Sequence, residues 1–420
     1  MTERTTRLLT NAGAERQDLR AYQAEGGWSG FRELVQSGDP EAFLAEVEAS
    51  RLRGRGGARF PTATKLRMAR EADGTTKHVV ANGGEHEPGS HKDKFLAARY
   101  PHEILEGLLI AAWTTGAEHA WVYLIEDMDE QIASIESAID EARSANLVGE
   151  GILGTDLSID VRVHRAPTTY VAGEETAAID SIEGGPGRPR KKPPYPGQEG
   201  IGGHPTTVQN VETLAHLAWI AREGAEAFAS IGTTESTGTM LFTLPDSLRN
   251  AGVHELPFGI TYRQILDEVG GGTRDGRRVV ALLPALSCSF VAADDLDVVV
   301  SHEALAELGT SPGCGGIHLI LEGEDPVERI RDIARFFMAE QCGQCPPCRM
   351  ETNQFVHILE AVLAGKKGDY MGQLTKIATF AHRKGNCSLI EMAAAPVLSG
   401  ARLFASAFDA KAESGNPGEA

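Results

Sequence analysis

Three cysteines, Cys342, Cys345 and Cys348, fall within seven residues, and a fourth, Cys387, follows 39 residues later. A cubane iron–sulfur cluster offers iron corners that each take one thiolate. The two-residue gaps let one short stretch of chain reach three corners, and a remote segment supplies the last. Zinc also accepts four cysteines, but usually from two separate C-x2-C knuckles. Three close cysteines plus one distant one therefore favour a [4Fe–4S] cluster over structural zinc or unliganded thiols. Pro346 and Pro347 are expected to block helix formation inside the ligand loop. Gly343 allows the chain to turn closely around the cluster. The remaining cysteines, Cys288 and Cys314, are isolated and read as small buried apolar filler. The glycines around Cys314 still leave open a position near a cofactor.

Six cysteines in 420 residues do not make a disulfide scaffold. The length suggests two to four domains, and 41% hydrophobic with 24% charged residues suits a soluble globular chain. A nucleic-acid binder needs a basic face, so a net charge of −19 argues against one. The first 17 residues are polar and lack the apolar core of a signal peptide. The longest apolar stretch near a helix, 104–112, contains Glu106 and Gly107 and is too short to cross a bilayer. No membrane span is expected, and the expected location is cytoplasmic, with peripheral attachment to a membrane complex left open.

Along the chain, a polar tail leads into short helices around 31–35 and 40–49, the second with Asp39 and Pro40 as N-cap and first helical residue. Strands are expected at 77–81, 120–125 and 157–164, and helices at 101–114 and 128–145. This alternation argues for an α/β sheet with parallel elements. Residues 184–205 are dense in Gly, Pro, Lys and Arg and form a long loop, a length uncommon without function. Residues 236–310 read as a β-rich unit with strands at 239–243, 253–256, 279–283 and 298–301, and one helix at 262–269. Helices follow at 325–340, 351–364, 370–381 and 390–404, and a disordered tail is expected after Ala412.

Between Arg53 and Phe60, Gly54, Gly56 and Gly57 permit backbone amides to approach an anion, and Arg53, Arg55 and Lys65 add charge. A helix starting near Thr62 adds its N-terminal amides. Alone this is a weak signal, since it is not the dinucleotide-binding fingerprint. Two acidic segments strengthen it. One runs from Asn82 through Glu85 and Glu87 to Gly89, the other from Tyr170 through Gly173, Glu174 and Glu175. Each follows an expected strand, where open α/β sheets bind ligands. Their bland alternative is a solvated turn before a helix with acidic residues in its first turn.

These motifs, with those at 189–194, 210–214 and 342–349, resemble the flavin- and NADH-binding subunit of respiratory complex I and its relatives in soluble hydrogenases and formate dehydrogenases. The similarity runs over residues 28–400. It implies a Rossmann-like flavoprotein α/β domain, a small ubiquitin-like β-grasp (SLBB-type) unit and a C-terminal helical bundle holding the cluster. The corresponding segments are 1–62, 63–232, 233–310 and 311–420, the first being an N-terminal helical segment with the glycine-rich loop. The resemblance also implies NADH:acceptor oxidoreductase chemistry with FMN, NAD(H) and one [4Fe–4S] cluster. Carried over by position, Gly54, Arg55, Gly56, Gly57 and Lys65 would hold phosphate. Asn82, Glu85, Tyr170, Gly173, Glu174, Gln209, Asn210 and Thr213 would line FMN, and Phe60, Glu87, Lys192 and Tyr195 would contact NADH. Glu87 and Glu175 are the candidate catalytic carboxylates, and Glu87 near the adenosine ribose would favour NADH over NADPH. Cys342, Cys345, Cys348 and Cys387 would bind the cluster.

The sequence departs from the family at Gly84, where Asp is usual, at Gln209 for Asn, at Arg59 for Gly, and at Met68 for an aromatic. These changes suggest a divergent paralogue. They keep a second function in view, a non-catalytic iron–sulfur relay that has lost productive FMN and NADH binding, and a third, a scaffold with structural zinc. Because such an oxidoreductase must pass electrons on, a ferredoxin-like or other iron–sulfur partner is expected within a larger redox complex.

Overall fold

The computed structural model describes residues 6–10 and 15–414. Its centre is a four-stranded sheet in the order β3-β2-β1-β4, formed by β1 (His78–Asn82), β2 (His119–Ile125), β3 (Asp160–Ala166) and β4 (Thr206–Asn210). All three pairings are parallel. β1, β2 and β3 carry apolar residues to both faces, as a sheet covered on both sides requires, whereas β4 has Val208 alone. Val79, Ala81, Val122 and Leu124 pack under helices Pro101–Thr115, Asp129–Ser144 and Val211–Glu223. Val80, Tyr123 and Val208 pack on the other face against Ala178 and Ile179 of helix Glu175–Ile182. Helices Pro101–Thr115 and Val211–Glu223 cross so closely at Gly107 that a Cβ there would lie 1.9 Å from the Leu214 carbonyl oxygen.

The order of strands reverses between β1 and β4. At such a switch point the connections leave in opposite directions and open a crevice beyond the strand ends. The residues that close β1 and β4, Asn82 and Asn210, are register partners at that point.

The β-rich unit holds β5 (Thr239–Leu244), β6 (Gly252–Pro257), β7 (Val279–Leu283), β8 (Val291–Ala292) and β9 (His318–Leu321). β5 pairs with β6, and β7 pairs with both β8 and β9, all antiparallel. A parallel bridge from Thr243 to Gly316, with Ile317 N donating to the Thr243 carbonyl at 3.1 Å, joins the two groups just before β9. The resulting order β6-β5-β9-β7-β8 is that of a β-grasp. Its middle strand comes last in sequence, so the unit continues past residue 310. The strand expected at 298–301 is not formed: Val299 makes one bridge to Thr261, and the chain turns into helix His302–Glu307 capped by Ser301.

Helices Pro326–Glu340, Pro346–Leu363, Tyr370–Ala381 and Leu389–Leu403 form the C-terminal bundle around Ile330, Phe355, Leu359, Leu374 and Val397. The second starts at Pro346, not near Glu351. Cys345 is its N-cap, and the two prolines fill the first helical turn. There an amide would lack a partner anyway, so proline is tolerated and its fixed φ suits the helix. A fifth helix, Ala405–Ser414, takes the start of the expected tail, and residues 415–420 lie outside the described residues. The expected polar tail at the N-terminus is also partly core. Leu8 and Leu9 are buried, and the amides of Arg7, Leu8 and Leu9 all donate to Glu255 Oε2 at 2.9 Å. No single helix among the described residues is long and apolar enough to cross a membrane.

Candidate flavin and iron–sulfur sites

The crevice above Asn82 and Asn210 is bounded by the glycine-rich loop, by the segments 82–87 and 170–175, and by the loop after Gly184. Gly57 adopts φ +100°, and a Cβ at Gly54 or Gly57 would meet nothing closer than 3.7 Å. A Cβ at Gly56 would lie 3.1 Å from Asn210 Cβ, so the loop brings its backbone close to the residue that closes β4. Three buried polar atoms nearby in the fold lack partners: Thr62 Oγ1 at the start of helix Thr62–Glu71, and Thr207 Oγ1 and Gln209 Nε2 on β4. Buried polar groups are normally satisfied, so these open donors and acceptors fit a polar ligand.

The loop's arginine has a different task. Arg55 is buried, and its guanidinium donates to the carbonyls of Thr239 (3.1 Å), Arg53 (3.2 Å) and Thr237 (2.8 Å) while lying over Phe258. Burial lowers its pKa to about 10. The expected phosphate charge is thus spent on anchoring the β-rich unit. The Arg55 amide donates to Thr213 Oγ1 at 2.8 Å, which fixes the loop on helix Val211–Glu223.

Four side chains expected in the site do converge. Lys65 Nζ lies 2.9 Å from Glu175 Oε2, and Lys192 Nζ lies 2.8 Å from Glu174 Oε1 and 2.9 Å from Glu175 Oε1. Burial opposes ionisation of Glu175, but the two ammonium groups outweigh it and hold the carboxyl down at about 2. Glu174 Oε2 caps helix Glu175–Ile182 through Thr176 and Ala177. The long loop 184–205 therefore folds back, and its lysine completes the cluster. Asn82 Nδ2 donates to the Gly173 carbonyl at 2.9 Å, joining the two acidic segments. His86, which sequence reasoning passed over, places its two ring nitrogens 2.9 Å from the Gly84 carbonyl and 2.8 Å from the Pro167 carbonyl and closes the same gap. Phe60 and Tyr195 are exposed aromatics, and the Met68 side chain is exposed as well.

Other expected contacts turn inward. Both oxygens of Glu85 are used, by Ser90 Oγ and by the Lys94 amide, which caps the following helix. Glu87 accepts from the Leu286 amide at 2.6 Å and from Tyr170 Oη at 3.3 Å. Burial pushes its pKa up, against the pull of those bonds and of Cys314. These bonds tie Glu87 to the β-rich unit and to Tyr170. Cys314 is accordingly not an isolated thiol, whereas Cys288 is buried with its sulfur 3.4 Å from Ser311 Oγ.

Beneath the crevice lies a buried ionic network that no sequence motif announced. Lys92 Nζ is 2.7 Å from Asp93 and 2.8 Å from Glu212, all three side chains being nearly inaccessible. Asp93 Oδ2 accepts from Asn210 Nδ2 at 2.7 Å, and Glu212 Oε1 accepts from the Leu241 amide of β5 at 2.8 Å. Lys92 thus ties Asn210, at the switch point, to the β-rich unit.

The four expected ligand cysteines line one pocket, with Val171, Leu389 and Ile390 as apolar walls and Gly343, Gly385 and Asn386 at its edge. Among the described residues, no three His, Cys, Asp or Glu side chains converge to hold a single metal ion. The thiols surround a cavity, as a multi-atom cluster requires, rather than meeting at one point as zinc requires. Donors face the sulfurs as well: the Asn386 amide lies 3.3 Å from Cys345 Sγ and Gln344 Nε2 lies 3.5 Å from Cys342 Sγ. Burial, with the neighbouring thiols, raises Cys348 to about 12, so without a cationic partner this thiol stays protonated. The donor set and its surroundings fit a [4Fe–4S] cluster.

The two sites share a wall. Tyr170, bonded to Glu87, is followed by Val171, which lines the cysteine pocket. The Tyr170 ring meets Phe336 and Phe337 edge-on at 5.2 and 6.0 Å, and its amide donates to Glu340 at 2.8 Å. Gln344 in the ligand loop donates to the Pro189 carbonyl at 3.0 Å.

Residues 47–219 match the family described as the Nuo51 FMN-binding domain, and residues 328–411 match the NADH-ubiquinone oxidoreductase-F iron-sulfur binding region. Fold, site and matches define the class: an electron-transfer protein pairing an FMN-binding α/β domain with a [4Fe–4S] bundle. The F 2 subunit of the NADH-quinone oxidoreductase of Rhizobium meliloti (strain 1021) is 37% identical over 83% of each chain. The F-type subunit of the Streptomyces coelicolor NADH-quinone oxidoreductase is 35% identical over 92% of this chain and 86% of its own. The chain belongs to the family of NADH-quinone oxidoreductase F-type subunits. Among solved structures, an NAD+-reducing [NiFe]-hydrogenase in its H2-reduced state superposes with a TM-score of 0.81 at 33% identity, over 89% of this chain. This chain spans 62% of that hydrogenase chain.

Proposed function

We propose that this chain is the NADH-oxidising subunit of a multi-subunit redox assembly, taking electrons from NADH at the switch-point crevice and passing them through the cysteine pocket to a partner iron–sulfur protein. The observation that carries this reading is the shared wall: Tyr170 bonds a residue of the crevice, and Val171 lines the pocket. FMN, when bound, supplies the conversion between a hydride donor and a one-electron acceptor.

This chain's own residues supply position and charge. The backbone amides of Gly54–Gly57 and the N-terminus of helix Thr62–Glu71 receive a phosphate. Lys65, Glu175, Lys192 and Glu174 form a charge-balanced clasp, so an anionic ligand that draws a lysine away exposes a carboxylate and loosens the loop at 184–205. Gln209 Nε2 offers a spare donor from β4. Phe60 and Tyr195 present exposed rings on which a base or nicotinamide stacks. Glu87 keeps Tyr170 fixed between the two sites.

Anaerobic purification followed by iron analysis and NADH titration tests the proposal. The protein should carry flavin and iron, and NADH should bleach the flavin band. Protein with intact flavin that NADH leaves oxidised would sink the donor assignment.

A further inference from the structure

Resting on the proposed electron path, we infer that the outer end of helix Tyr370–Ala381 and the turn after it form the docking surface for an acidic electron-accepting protein of the ferredoxin class. The chain as a whole is strongly acidic, at −19. Residues 341–388, which carry the ligand cysteines, reverse that balance with six Lys and Arg against three Asp and Glu. Two of those acids are already committed, since Glu351 is buried and Glu360 pairs with Arg335.

Lys376 and Phe380 stand one turn apart on the same face of the helix, and both are exposed. Phe380 leaves 55% of its surface open. Lys384 reaches back to hold its ammonium 4.0 Å from the centre of that ring. Arg383 is exposed beside it, and the nearby Glu391 is engaged by the Arg383 amide and by His382. Lys376, Arg383 and Lys384 form no ion pair with a carboxylate among the described residues.

The turn runs directly into Gly385 and Asn386, which line the cysteine pocket, and then into Cys387. An exposed aromatic flanked by unpaired cations is the composition of an interface anchor. Its field attracts an acidic partner and fixes its orientation. The contact would place a one-electron acceptor beside the turn that leads into the pocket wall.

The test measures binding of a plant-type [2Fe–2S] ferredoxin to the full-length oxidised protein by calorimetry, so it needs no NADH turnover and stands apart from the donor assignment. Wild type should bind, and raising ionic strength from about 0.01 to about 0.15 M should weaken binding at least about tenfold. The triple variant K376E/R383E/K384E should lose binding at least about tenfold at low salt and gain affinity for basic cytochrome c. F380A should weaken ferredoxin binding with its salt dependence unchanged. Iron content equal to wild type shows that each variant is folded and loaded. No ferredoxin binding by wild type, or equal binding by the charge-reversed variant, would overturn the inference.

Discussion

Tyr170 Oη donates to Glu87 Oε2 across 3.3 Å, linking the segment after β1 to the short helix Tyr170–Gly173, in which Val171 walls the cysteine pocket. Tyr170→Phe removes only this donor, since Glu87 keeps the Leu286 amide. Loss of one buried bond costs about 1 kcal/mol. The expected outcome is a small fall in melting temperature with iron content unchanged. Slower cluster reduction in stopped-flow traces should accompany it, because the wall between the sites loosens.

Lys92 bridges Asp93 and Glu212 in a buried group. Lys92→Met removes the ammonium that Asp93 and Glu212 share, a loss of about 3–5 kcal/mol. Adding Glu212→Gln should restore part of it. Urea unfolding of the single and double variants checks both, and additive losses would show that the pair does not interact.

The Glu175 carboxyl sits at about 2 against an ordinary 4.5. A depressed folded pKa contributes stability that is full above the unfolded value and disappears as pH falls from about 4.5 towards about 2. Part of the acid-induced loss of stability in this window is assigned to this group. Glu175→Gln should flatten the curve there and leave Lys65 and Lys192 without that partner. Denaturant midpoints at several pH values decide it, and an unchanged slope would refute the assignment.

Cysteine substitutions separate the cluster ligands from the other thiols. Cys348→Ser or Cys387→Ser should lose iron and the brown absorption. Cys288→Ser should keep both, because its sulfur touches a serine hydroxyl outside the pocket.

Arg59 adopts φ +58° in the glycine-rich loop. A side chain in that region costs about 1 kcal/mol or more, so Arg59→Gly should raise the melting temperature if loop strain outweighs the added freedom of the unfolded chain. Differential scanning calorimetry checks the sign.

Much of this was legible in the residues alone. The cysteine spacing, the alternation of strands and helices, and the acidic strand ends are local patterns, and local patterns reflect backbone periodicity and ligand reach. Helix Tyr370–Ala381 fell where the periodicity placed it. The start of helix Pro346–Leu363 did not, because proline reads as a breaker unless its place in the first turn is known. The β-grasp was cut at 310 because its middle strand, β9, arrives late and is recognised only by its partners.

By itself the sequence determined which chemistry this chain carries: four thiolates in a three-plus-one pattern and a glycine loop ahead of a parallel sheet. Only the tertiary structure decided where each charge is spent. Arg55 became an anchor, Glu85 a helix cap, and Lys92 the centre of a buried network. The physical reason is that a side chain's charge is used by whichever partner lies within about 3 Å in space, and sequence spacing carries no record of that distance between residues far apart in the chain.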